Sequence, residues 1–206
     1  MPDRLTGRTL VVATGHDLSL ALLEGASLLA QSHVAMTRGH AEALVPAIAA
    51  LMAPFGGPAC RCDNVVVETG PGSFTGLRVG LAAARALALA WGAGLSGVRS
   101  TQLVAAAAPA VGRLLVVLEA PRGQIWAEGF EGPQRVSVLP PVALTAAEAA
   151  HLARDYDGVC GTARALLSSG SLPTPPRAAA IEGLETGAFG SAELLYVRAA
   201  DPAPAA

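Results

Sequence analysis

Lysine is absent from this chain: all 14 basic side chains among its 206 residues are arginine. Any mechanism that needs a catalytic or phosphate-binding lysine is thereby excluded. Charge of either sign is scarce, at 15% of residues, and the formal net charge is −2. That balance gives no electrostatic reason to expect strong unaided binding to nucleic acid or to an anionic membrane. Cysteine is sparse too. Cys60, Cys62 and Cys160 form an odd set without the spacing of a disulfide framework or a zinc site, which fits idle thiols in a reducing cytosol. The opening stretch MPDRLTGRTLVVATGHD has no uninterrupted apolar core of signal-peptide type. The most apolar region, residues 79–98, contains Arg85 and several glycines and is bordered by Arg78, a composition that a membrane span does not readily accept. The chain reads as a cytoplasmic protein with no membrane segment. What it does have is apolar residues, 52% of the total, and enough length to bury a sizeable core in one domain or two small lobes.

Residues Thr9–Thr14 suit a buried strand, and Leu18–Glu24 and Ser27–Ala35, joined by a Glu24-Gly25 turn, extend it into a β-meander. From Ala43 the residues Leu44, Ile48, Leu51, Met52 and Phe55 share one helical face, stopped by Gly56-Gly57-Pro58. Pro46 belongs in a first helical turn, which predicts a start near Glu42. A strand at Asn64–Glu68, a helix to Trp91, a strand at Leu95–Val98 and a helix at Thr101–Ala108 follow. A second half repeats the rhythm. Leu114–Glu119 and Gln124–Phe130 read as paired strands, and Thr145 with Glu148 makes a capping box for a helix through Leu152. A brief strand at Val159-Cys160, a helix at Ala163–Leu167, a proline-rich loop at Ser171–Pro176 and a last helix at Ala188–Leu195 complete the order. Antiparallel strands followed by helix–strand alternation, twice over, predict an α/β fold with two lobes, residues 1–108 and 109–198, and a disordered tail at 199–206.

Between the fourth strand and its helix lies Thr69-Gly-Pro-Gly-Ser-Phe-Thr-Gly-Leu-Arg78, the layout of a phosphate-binding loop. A Walker A loop fails on the spacing of Gly70, Gly72 and Gly76 and on the missing lysine. A dinucleotide fingerprint fails on spacing and on Pro71, which removes an amide donor. A weak anion or nucleotide contact at Gly72, Ser73 and Thr75, through hydroxyl capping and the helix dipole, stands beside the plainer reading of a tight strand-to-helix turn. In the following helix Gly76, Gly80, Ala84 and Ala88 recur every four residues and make a smooth stripe. The stripe faces either the protein's own sheet or another helix, from this chain or from a second subunit. Glu68, at the end of its strand, is either a general base in a cleft or a polar strand terminus. Ser73 has no histidine close in sequence to activate it.

The run GPGSFTGLRVGLAAARALA, with Val98–Thr101 after it, closely resembles the TsaB (YeaZ) family. His40-Ala-Glu-x-Leu-x-Pro46 and Tyr196-Val-Arg198 extend the likeness along much of the chain, while the C-terminal half matches mainly in layout. The resemblance implies the two-lobed actin-like and sugar-kinase ATPase fold, of ribonuclease-H type. It also implies a non-catalytic subunit that pairs with TsaD, the catalytic protein that threonylcarbamoylates the tRNA adenosine beside the anticodon. The ATPase TsaE joins that assembly, the subunit is a homodimer when alone, and tRNA is met only through the complex. Carried onto this chain, the partner contact involves the 43–55 and 75–91 helices through Leu44, Ile48, Leu51, Gly76, Leu77, Gly80 and Ala84. No cofactor or metal is expected here, ATP and metal belonging to the partner subunits.

Two departures from relatives bear on chemistry. Ala13 stands where the fold's ATPases place an acidic residue on the first strand, and alanine cannot ligate a cation. Asp17 is four residues away, too far to replace it without an unusual turn. On the second lobe's first strand, Glu119-Ala-Pro-Arg122 replaces the Asp-Ala-Arg often seen in relatives. Catalytic relatives bind metal through two histidines at helical spacing, and His16, His33, His40 and His151 provide no such pair. His40 near Glu42 reads as a capping or packing residue. The competing expectation is an ATP-dependent phosphoryl or carbamoyl transferase acting on its own, against which the lysine, acid and histidine absences all count. A peptidase reading lacks an assembled metal or nucleophile.

Overall fold

In the computed structural model, residues 6–167, 174–184 and 188–197 are described. The first sheet begins with β1 (Arg8–Ala13), β2 (Leu18–Glu24) and β3 (Ser27–Val34), an antiparallel meander. After α1 (His40–Met52) come β4 (Asn64–Gly70), α2 (Phe74–Trp91) and β5 (Gly94–Arg99), and both strands join in parallel to give the order β3-β2-β1-β4-β5. The helix α3 (Ser100–Ala107) then leads to β6 (Arg113–Glu119), β7 (Ile125–Glu131), β8 (Val136–Leu144), α4 (Ala146–Leu152), β9 (Gly158–Cys160) and α5 (Arg164–Leu167). The second sheet runs β8-β7-β6-β9, with β6 and β9 parallel and the rest antiparallel. It repeats the first sheet less its last strand, the two-lobed α/β architecture that the resemblance implies.

Alternation along the central strands decides what covers each face. Leu10 and Val12 of β1 point with Leu18, Leu20 and Leu22 of β2 to the side where α1 supplies Leu44, Ile48 and Leu51. Val65 and Val67 of β4 meet Leu81, Ala84 and Ala88 of α2. Val11, Ala13 and Val66 point the other way, onto Leu103 of α3. Leu103 thus serves the first lobe, while Val104 and Ala105 pack with Leu114, Val116 and Leu118 of the second. This short helix is buried from Ser100 through Ala105 because it lies between the two sheets.

Four details differ from the sequence-based expectation, the first being β8, a strand not expected between Phe130 and Thr145. α1 starts at His40 rather than near Glu42, so Pro46 sits in the second turn. Glu42 and Pro46 both lie on the exposed face, where solvent can take the carbonyl that lost its helical partner. Residues 188–195 are not a helix. They run as an extended strap along the first lobe, with a bridge between Gly97 and Gly190 and a bond from the Leu195 amide to the Thr69 carbonyl at 2.8 Å. The segment read with the second lobe also returns earlier: a 3-10 turn at Ala178–Gly183 packs Ala178 and Ile181 against Val11 and Ala13. The capping box is present, with the Thr145 amide donating to Glu148 Oε2 at 2.7 Å. The proposed tail at 199–206, residues 171–173 of the proline-rich loop and Arg198 lie outside the described residues.

Candidate functional site: a cleft and a helical face

The C-terminal ends of β1 and β4 bring the Thr14-Gly15 turn beside the start of α2. Ser73 caps that helix, its Oγ accepting the Gly76 amide at 3.3 Å, and its own amide donates to the Gly15 carbonyl at 2.6 Å. The Thr14 hydroxyl donates to the Gly76 carbonyl at 2.8 Å. Loop and turn are therefore laced together. The glycines make that approach possible: a Cβ on Gly72 would lie 2.7 Å from the Gly15 carbonyl oxygen, and one on Gly76 or Gly80 would collide with Thr14. The stripe thus faces the chain's own sheet.

Behind the turn, Glu68 is 1% exposed. Its Oε2 accepts the Thr14 amide at 2.8 Å and the Gly15 amide at 2.5 Å. Burial works to raise its pKa, but His16, Ser100 and the Gly15 amide together outweigh burial and hold it below the ordinary carboxylate value. Glu68 is absent from the cleft wall, so the general-base reading loses its geometry and the carboxylate serves to fix the turn. Ala13 is buried in the core at the end of β1. Asp17 turns toward β3, with Oδ1 accepting the Met36 amide at 3.3 Å and Oδ2 3.2 Å from His33 Nε2. His40 Nε2 lies 3.1 Å from the His16 carbonyl and ties α1 to the same turn.

In front of the turn opens a cleft of about 500 Å³ between the lobes. The first lobe contributes Gly15, His16, Gly72, Ser73 and Phe74; the second contributes Glu119, Pro121 and Trp126; the strap closes it with Tyr196 and Val197. Of the three residues expected to contact an anion weakly, Gly72 and Ser73 line the cleft, whereas Thr75 is exposed outside the lining. Phe74 stacks at 5.6 Å from Tyr196 and carries the Arg78 guanidinium 3.6 Å above its ring. Trp126 and Tyr196 give no local signal of a site, because only the strap's return brings them to the loop. Among the described residues no group of three or more metal-ligating side chains is assembled.

A second polar centre escaped notice in the sequence. Glu128 on β7 is fully buried, and its carboxylate takes bonds from Arg99, Thr101 and Ser137, with Arg99 Nη2 at 2.6 Å. Arg99 and Thr101 belong to the first lobe and Glu128 to the second, so the group fastens the lobes together. Its one visible sign is an acid inside the apolar strand IWAEGFE.

The residues carried over as a partner surface need correcting one by one. Leu44, Ile48, Leu51, Leu77 and Ala84 are each at most 7% exposed and belong to the chain's own core, and Gly76 and Gly80 face Thr14. The outer faces of the same helices are different. Val45 is 65% exposed and Leu89 86% exposed, and the only charged residues on those outer faces are Glu42, Arg78 and Arg85. α2 is long and apolar enough to cross a membrane by length and composition, yet only 33% of it is buried. Its inner side packs on β4, which makes it the covering helix of a sheet with an apolar back.

The family model of TsaD, tRNA N6-adenosine threonylcarbamoyltransferase, matches residues 33–137, half of the chain. An uncharacterized protein of Mycobacterium tuberculosis is 41% identical over 100 residues, which is 48% of this chain and 46% of that protein. The tRNA threonylcarbamoyladenosine biosynthesis protein TsaB of Bacillus subtilis is 28% identical over 114 residues, 55% of this chain and 50% of that one. The chain spans about half the length of the curated relatives it matches. Among solved structures, YeaZ from Pseudomonas aeruginosa superposes with a TM-score of 0.73 at 21% identity, covering 87% of this chain and 90% of its own. A second Pseudomonas aeruginosa structure, described as similar to peptidase YeaZ, gives 0.75 at 20% identity and covers 94% and 100%. Both likenesses concern the fold.

Proposed function

This chain belongs to the TsaB (YeaZ) family, and on that premise we propose that it is an accessory subunit in making threonylcarbamoyladenosine on tRNA. In this reading it docks on a TsaD-like catalytic subunit, with a TsaE-like ATPase joining, and supports transfer to the adenosine next to the anticodon. It does no chemistry of its own, works in the cytoplasm, and pairs with a second copy when the partner is missing. ATP, metal and tRNA are handled by the assembly.

The observation that carries this reading is the sparsely charged back of α2, where Leu89 is 86% exposed, beside the outer face of α1, where Val45 is 65% exposed. An apolar surface of that extent gains free energy when a complementary helical face removes it from water. The buried stripe plays an indirect part: it seats α2 close to β1 and so fixes how the outer face is presented. Ala13 and the internally bonded Glu68 both weigh against an independent transferase.

The test is co-purification with the cognate TsaD-like protein and TsaE-like protein, with and without ATP, followed by measurement of tRNA modification after depletion of this chain. A stable complex and lost modification are expected. No complex and undiminished modification would defeat the proposal, and ATP turnover by the isolated chain would favour the transferase reading instead.

A further inference from the structure

A second cavity, of about 290 Å³, lies beside the Arg99–Glu128 pair at the lobe junction and shares no lining residue with the cleft. Arg99 of the first lobe and Arg135 of the second both line it, with Gln102 and Gln134 as further polar residues. Each arginine is anchored by the protein itself. Arg99 gives Nε and Nη2 to the buried Glu128 carboxylate at 3.1 and 2.6 Å, and among the described residues its Nη1 meets no acceptor. Arg135, in the turn between β7 and β8, has a left-handed backbone with φ 52, a conformation uncommon away from glycine. Its guanidinium lies on the linker between the lobes, Nη1 donating to the Val111 carbonyl at 3.2 Å and Nη2 to the Pro109 carbonyl at 2.6 Å.

The carbonyls that hold Arg135 carry no net charge, so only Arg99 is offset, by Glu128. Among the described residues that line the cavity there is no carboxylate, and one positive charge is left over. Planar guanidinium groups pair well with a planar carboxylate. Because both are already fixed by other bonds, holding a ligand costs them little further freedom. The rest of the wall, Val136, Leu184 and Ala188, is apolar and suits an organic body. A singly charged carboxylate matches the charge that is left, whereas a phosphate dianion brings one charge too many.

We infer that this cavity is a binding site for a small organic carboxylate, with its charged end held by Arg99 and Arg135 and its apolar end against Val136 and Leu184. The two arginines belong to different lobes, and Arg135 also grips the linker, so the bound molecule bridges the lobes and stabilises their junction. The inference goes beyond the subunit reading and is independent of whether α1 and α2 dock a partner.

Benzoate is the probe and benzamide its uncharged match, each titrated into the full chain by calorimetry and by the amide NMR signals of Val136 and Ala188. Benzoate binds saturably, shifts both signals and raises the melting temperature. Benzamide binds at least about tenfold more weakly, the factor expected for one charge-assisted hydrogen bond. Inorganic phosphate also binds more weakly than benzoate. Gln134→Glu, at an exposed position, adds a like charge to the wall without removing a bond of either arginine, and weakens benzoate binding at least about tenfold. Absence of saturable benzoate binding overturns the inference, as do shifts confined to Ser73 and Trp126 of the cleft. Benzamide or phosphate binding as tightly as benzoate, or undiminished binding by Gln134→Glu, overturns it equally.

Discussion

Gly80→Ala replaces one hydrogen by one methyl in the middle of α2, and the sign of its effect depends on what Gly80 faces. On an exposed helix the change would stabilise the chain by about 1 kcal/mol through helix propensity. Here the new Cβ would collide with Thr14 Oγ1 and lie 3.4 Å from Thr14 Cβ. Thr14 is fully buried, and its hydroxyl is held by the Gly76 carbonyl at 2.8 Å, so it has nowhere to swing without breaking that bond. Overpacking costs about 1–3 kcal/mol, and a buried hydrogen bond left broken costs about 1–3 kcal/mol more. Set against the propensity gain, the expected net effect is a loss of roughly 3 kcal/mol. Urea unfolding should show a lower midpoint at an unchanged slope. Thr14→Ala removes the obstructing atoms, so the double variant should lose less than the two single losses added, by about 1 kcal/mol or more. Sedimentation should show association unaltered wherever the variants are folded. A stabilised Gly80→Ala chain with weakened association would refute the reasoning and return the stripe to a partner surface.

Other expectations concern the buried polar groups and the caps. Glu128→Ala strands Arg99, Thr101 and Ser137 at the lobe junction and should cost about 3 kcal/mol or more in chemical unfolding. Glu68 has a folded pKa below its ordinary 4.5, so its stabilising contribution is complete above that value and is lost as pH falls through the lower folded value. Unfolding free energy of the natural chain should therefore drop more steeply below about pH 4.5 than that of Glu68→Gln, and equal slopes would contradict the bonding described. Thr145→Ala removes the hydroxyl half of the α4 capping box, leaving the residue-145 amide on Glu148, and should lower stability by about 1 kcal/mol, read by thermal melting.

Much of the fold is written in local pattern. Continuous apolar runs mark β1 and β4, Gly25 marks the turn between β2 and β3, and Thr145 with Glu148 marks the start of α4, because each signal lies within a few residues. The strap at 188–197 is not legible in that way. Its apolar residues match a helix as well as an extended chain, and what selects extension is pairing with Gly97 and Thr69, far away in sequence. The site divides similarly. The loop Gly70–Gly76 announces itself through glycine content, and its capping serine is legible from position alone. The bond between Glu68 and the Thr14-Gly15 turn spans more than fifty residues and leaves no local trace. The small-residue stripe is visible in sequence, but spacing is silent about which neighbour the stripe meets. Thr14 supplies the answer only once β1 and α2 are side by side.

The most direct test of the subunit reading keeps the fold and alters only the outer face of α2. Leu89→Asp with Ala86→Asp changes exposed positions and should leave stability within about 1 kcal/mol of the natural chain. Sedimentation of each form with the cognate TsaD-like subunit should give a complex for the natural chain and at least about a tenfold weaker one for the variant, as expected when charge enters an apolar interface. Equal affinities, or no complex with either form, would contradict the account.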